Sequence, residues 1–96
     1  MKSTLKILFA DDDLKYSLVL KRFLEREGYE VTYTGSGTMA LEQFPVVKPD
    51  LVLLDINMPG LNGFEVAEKI REQDRHVLIF FLSDRSDKND RLKGFS

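Results

Sequence analysis

Asp11, Asp12, Asp13, Asp55 and Ser83 are the residues whose types and spacing could do chemistry in this chain. The three adjacent acids follow the apolar run 5–10. Asp55 ends the apolar run 51–54, and Ser83 ends the apolar run 77–82. Each has an ordinary explanation. Asp13 fits a helix N-cap, where a carboxylate satisfies free amides and suits the positive end of the dipole. Asp55 could be a turn residue and Ser83 a helix-start hydroxyl. Capping does not need three acids, and crowding them is costly. Two unit charges about 4 Å apart repel by roughly 4 kcal/mol at an effective dielectric of about 20. A cation or solvent must relieve that. Carboxylates from two strand ends, with the backbone carbonyl of Asn57, would form an all-oxygen site suited to Mg²⁺. With Mg²⁺ offsetting the charge of a phosphoryl group, Asp55 could attack phosphorus as a covalent nucleophile. The Ser83 hydroxyl could hydrogen-bond a phosphoryl oxygen from the far side.

This chemistry requires elements that bring distant residues together. Residues 51–54 are too few for a typical helix and are followed by Asn57, Pro59 and Gly60, which break regular structure. They read as a strand without polar alternation, so both faces are expected to be buried. Residues 5–10 and 77–82 read as strands for the same reasons, and 29–34 as a shorter one around Val31-Thr32-Tyr33. Residues 14–27 carry Tyr16, Val19, Leu20, Phe23 and Leu24 at helical spacing, with Leu14 and Leu18 off that stripe and Gly28 placed to end the helix. A second helix is expected over 38–44, with Ser36 as N-cap and Pro45 bracketing its exit. A third is expected over 64–73, with Phe64, Ala67 and Ile70 at helical spacing and Val66 beside them, and a fourth over 87–93. Gly35-Ser36-Gly37 lacks the third glycine and the Lys-Ser/Thr pair of phosphate-binding fingerprints, so it reads as a plain loop. His76, the single histidine, opens a strand far along the chain from the acids and is expected to face solvent.

Strands thus alternate with helices, which implies an α/β domain with a parallel sheet and right-handed crossovers. In such a sheet all strand ends of one sense share an edge, and ligands bind there. Asp11, Asp12, Asp55 and Ser83 would converge.

Composition sets the outer limits. The 96 residues suffice for one small domain. Fourteen basic residues against sixteen acidic ones give no basic excess, so direct nucleic-acid binding is not expected. There are no cysteines, hence neither disulfides nor thiolate-metal chemistry. No apolar run approaches membrane-spanning length, and no signal-peptide pattern precedes the first strand. A cytoplasmic domain without membrane contact is expected.

The order of these pieces resembles the receiver domains of bacterial two-component response regulators, the CheY-like family. The resemblance rests on Ile7-Leu8-Phe9-Ala10-Asp11-Asp12-Asp13, Gly28-Tyr29-Glu30-Val31, Pro49-Asp50-Leu51-Val52-Leu53-Leu54-Asp55, Met58-Pro59-Gly60-Leu61-Asn62-Gly63 and Phe80-Phe81-Leu82-Ser83. It implies a flavodoxin-like, doubly wound parallel sheet of order 2-1-3-4 with helices on both faces. It also implies that Asp55 takes a phosphoryl group from a sensor histidine kinase. Asp11, Asp12, Asp55 and the Asn57 carbonyl would arrange Mg²⁺, and Ser83 would be the switch hydroxyl. An output domain, such as a DNA-binding one, would lie outside this chain.

Two departures stand out. Asp84 occupies a position that is usually small in the family, and the chain stops before the family's fifth strand, its Lys-Pro pair and its fifth helix. A C-terminally incomplete receiver over residues 1–96 is therefore expected, with self-association through the fourth strand or the uncovered first helix. Two other functions fit some of the residues. One is a Mg²⁺-dependent phosphatase or phosphotransferase with Asp55 as nucleophile. Enzymes of the haloacid-dehalogenase-like family carry Asp-x-Asp, however, and here the second position is Asn57. The other is a dimerisation module that no longer signals.

Overall fold

The computed structural model describes residues 4–82. Four strands, β1 (Lys6–Ala10), β2 (Glu30–Thr34), β3 (Leu51–Asp55) and β4 (Leu78–Leu82), alternate with α1 (Leu14–Arg26), α2 (Gly37–Val47) and α3 (Gly63–Gln73). Every strand pair is parallel and the order is β2-β1-β3-β4, as expected. Ser83, Asp84 and the expected helix at 87–93 lie outside the described residues.

Side-chain alternation along β1 divides the core into two layers. Leu8 and Ala10 point to one face, where Val52 and Leu54 of β3 meet Ala40 and Phe44 of α2 and Val66 and Ile70 of α3. Ile7 and Phe9 point to the other face and pack with Val31 and with Leu20 and Leu24 of α1. Burying each such aliphatic side chain contributes about 1.5–3 kcal/mol. At the opening of β3, the Asp50 carboxylate accepts from the Lys6 N–H at 2.8 Å, and the Asp50 N–H donates to the Lys6 carbonyl at 2.8 Å. These bonds set the β1–β3 register on which the site depends.

The helices keep part of the expected faces, with Leu20, Leu24, Ala67 and Ile70 packed inward, and depart from the rest. In α1, Val19 and Phe23 are 71% and 57% exposed, whereas Ser17 is fully buried. The packed stripe is Ser17, Leu20 and Leu24, because a small side chain at 17 lets the first turn approach the sheet closely. In α3 the buried stripe is Gly63, Val66 and Ile70, and Phe64 turns outward to meet the Phe81 ring at a centroid distance of 4.9 Å. Helix α2 runs past its expected end and contains Pro45. The proline falls in the last turn, so the donor it lacks affects few remaining helical bonds. Lys48 then stops the helix in a left-handed conformation, φ 52°.

Helix starts follow the sequence signals more closely. Asp13, Ser36 and Asn62 cap α1, α2 and α3, and Asn62 forms a reciprocal capping box with Glu65. Gly28, at φ 99°, follows α1 as expected. The strands are less enclosed than their apolar character suggests. Leu51 and Leu53 of β3 are only partly buried, and β4 is exposed at Leu78, Phe80 and Phe81. Among the described residues β4 is the outer strand of the sheet, so no neighbour covers it.

Candidate metal and phosphoacceptor site

Parallel pairing carries the acids to one edge. Ala10 stands opposite Leu54, so the residues that follow, Asp11 and Asp55, leave adjacent strands side by side. Both are fully buried, while Asp12, where the chain bends, is exposed. One carboxylate oxygen from each of Asp11, Asp12 and Asp55 lies within 4.8 Å of the others. The structure thus assembles the expected trio. It separates Asp13 from it in role: the Asp13 carboxylate accepts from the Tyr16 N–H at 3.2 Å and starts α1.

The turn after β1 is held from several sides. The Asp11 N–H donates to the Thr34 carbonyl at 3.2 Å. The Asp11 carboxylate accepts from the Asp13 N–H at 2.9 Å. The Tyr33 hydroxyl donates to the Asp11 carbonyl at 2.7 Å, and the Thr34 hydroxyl donates to the Phe9 carbonyl at 3.2 Å. Sequence reasoning misses these β2 contacts. It reads Tyr33 and Thr34 only as strand formers, and the available signal is their position at the end of a strand neighbouring β1.

Asp55 is held by the loop that follows it. Met58 is buried with the α2–α3 core, which anchors the loop from within. The Gly63 N–H donates to the Ile56 carbonyl at 2.9 Å. A Cβ at position 63 would collide with the Asp55 carbonyl oxygen and come within 3.0 Å of Ile56 Cα. Glycine is therefore required where α3 begins, for close approach and not for a special φ. Asn57 is exposed at the start of this loop. His76 is exposed, and its N–H donates to the Asp74 carboxylate at 2.8 Å, away from the acids.

Electrostatics favours a cation here. Two buried carboxylates and a third beside them repel strongly in a partly desolvated site. The field of the acids that follow β1 reaches Tyr33, whose pKa is raised first by burial and then by the negative charges of Asp11, Asp12 and Asp13. The buried Ser17 hydroxyl acts in the opposite sense on the phenol oxygen, although it falls short of full hydrogen-bond geometry. A set of three carboxylates fits a hard, oxygen-seeking ion such as Mg²⁺. Sheet topology points to the same place. The chain leaves β1 towards β2 on one side and pairs with β3 on the other, so the acids flank the topological switch point.

Comparison with known proteins agrees with this geometry. Residues 7–96 match the family model described as "Response regulator receiver domain". The chain is 40% identical over 92 residues to the sensor protein EvgS of Escherichia coli K12, covering 96% of this chain and 8% of that protein. It is 36% identical over 89 residues to the alkaline phosphatase synthesis transcriptional regulatory protein PhoP of Bacillus subtilis, covering 93% and 37%. It thus spans less than half the length of these relatives. The non-phosphorylated receiver domain of HemR from Leptospira biflexa superimposes with a TM-score of 0.80 at 32% identity, over 96% of this chain and 74% of that one. The structure of histidine kinase ThkA in complex with response regulator protein TrrA matches with a TM-score of 0.77 at 38% identity, over 88% and 78%. With an acid trio at the switch point of a 2-1-3-4 sheet and a family match over nearly its whole length, the chain belongs to the response regulator receiver domain family.

Proposed function

We propose that this receiver domain accepts a phosphoryl group on Asp55 from a sensor histidine kinase, in a reaction that needs Mg²⁺. The observation that carries the reading is the convergence of Asp11, Asp12 and Asp55 within 4.8 Å at the carboxyl ends of β1 and β3. Mg²⁺ bound by these carboxylates and the Asn57 carbonyl would neutralise phosphoryl charge. Asp55 is the nucleophile. Its carboxylate oxygen forms a bond to phosphorus while the bond to the kinase imidazole nitrogen breaks, and the electron pair leaves with the imidazole. Asp11, fixed at its N–H, carbonyl and carboxylate, holds its place beside Asp55, and exposed Asp12 closes the site on the solvent side. Ser83, directly after β4, is the proposed switch hydroxyl. The ThkA–TrrA complex supports a histidine kinase as partner, and the regulators among the relatives support an output domain.

A phosphatase reading is disfavoured, because the Asn57 amide cannot serve as the second acid of an Asp-x-Asp pair. Among the described residues no helix is long and apolar enough to cross a membrane. The test is intact-mass analysis after acetyl phosphate and Mg²⁺. One phosphoryl group should be gained by the natural chain and none by Asp55→Asn; turnover of a phosphomonoester would instead identify an enzyme.

A second reading, self-association, rests on β4. Its outer edge has no partner among the described residues, and Leu78, Phe80 and Phe81 expose apolar surface on both faces. Such an edge is a template for pairing with another chain.

A further inference from the structure

We propose that Tyr33 is a positioning residue for the metal site, acting through the peptide that joins Asp11 to Asp12. This inference rests on the reading of the acid trio as a Mg²⁺ site. The Tyr33 hydroxyl reaches 22 residues back along the sequence and donates to the Asp11 carbonyl at 2.7 Å. That carbonyl belongs to the planar peptide linking two members of the trio, so its orientation sets the direction in which the Asp12 Cα leaves Asp11. Asp12 is exposed and lies at a bend, where the course of the chain follows the peptide before it. Asp11 itself is already secured by Thr34 and by the Asp13 N–H. The phenol bond, made at the carbonyl of the peptide that leads into Asp12, bears on where the Asp12 carboxylate stands.

The Tyr33 ring is well placed for this duty. It packs against Phe9, with centroids 5.6 Å apart and a tilt of 53°, and Phe9 is fully buried in the sheet. The two residues are register partners on β2 and β1, and the hydroxyl reaches the carbonyl of the residue two positions past Phe9. A rigid ring on a rigid strand holds a donor with little entropy left to lose. Groups that orient metal ligands from behind typically change affinity by about 10- to 100-fold when removed, and a single hydrogen bond to the backbone behind a ligand falls at or below the lower end of that range.

The experiment is Mg²⁺ titration of the natural chain and of Tyr33→Phe by calorimetry, paired with thermal melts in chelator and the Mg²⁺ dependence of acetyl phosphate labelling. Phenylalanine keeps the ring on Phe9 and removes only the donor. The expected result is a Kd about 3- to 10-fold weaker, a metal-free melting midpoint close to the natural one, and a maximal labelling rate that recovers at saturating Mg²⁺. An unchanged Kd in Tyr33→Phe, with tight binding by the natural chain, overturns the role of Tyr33 alone. Absence of Mg²⁺ binding by the natural chain overturns the site itself. If Tyr33→Phe does not fold, 4-aminophenylalanine at position 33 restores a donor. A natural Kd in that chain supports the assignment, and a folded chain with a Kd weaker by about tenfold overturns it.

Discussion

Gly63 stands so close to Asp55 that any side chain at 63 would strike the Asp55 carbonyl oxygen. The start of α3 and the end of β3 are thus one packed unit, joined also by the bond from the Gly63 N–H to the Ile56 carbonyl. Both colliding groups are backbone, which yields poorly. Gly63→Ala is expected to destabilise the domain by about 1–3 kcal/mol, in the range of core overpacking, and to slow labelling at Asp55. Urea melts and labelling rates measure the two effects. A natural midpoint would show that α3 can slide away at little cost.

Mg²⁺ should stabilise the fold, because it relieves repulsion among Asp11, Asp12 and Asp55. At a concentration about ten times Kd the gain is about 1.4 kcal/mol, which for a domain of this size is roughly 6–11 °C in melting midpoint. Melts with Mg²⁺ and with chelator at matched ionic strength test this. Asp12→Asn, at an exposed position, should fold normally and lose most of the response.

Asp55→Asn should abolish acyl phosphate formation and leave the fold intact. The exchange is nearly isosteric and removes one charge from a buried, mutually repelling group, so the metal-free midpoint should hold or rise. Persistent labelling at full level would place the nucleophile elsewhere.

The 96-residue chain should associate as its concentration rises, through the outer edge of β4. Light scattering across a dilution series reads the mass. Phe80→Lys places a charge on an exposed edge residue and should reduce association. A chain that remains monomeric at high concentration contradicts the reading.

Much of this protein is legible in its amino-acid order alone. Alternation of short apolar runs with helical stretches determined a parallel α/β sheet, since strands of one sense need crossovers. Acids placed at the ends of the first and third runs determined that a charged cleft would form at one edge. Asp13, Ser36 and Gly28 act as they do because capping and left-handed turns depend on neighbours within a few residues. Tertiary structure alone decided which of the periodic apolar residues on α1 and α3 face inward. Val19, Phe23 and Phe64 have the right spacing, but burial depends on how closely each helix meets the sheet, and the small residues Ser17 and Gly63 set that approach. It also decided that Tyr33 reaches the Asp11 carbonyl, a contact across 22 residues that exists only because β2 and β1 pair in register. Local pattern records what a segment prefers; the distance between side chains from different segments is created by the packing itself.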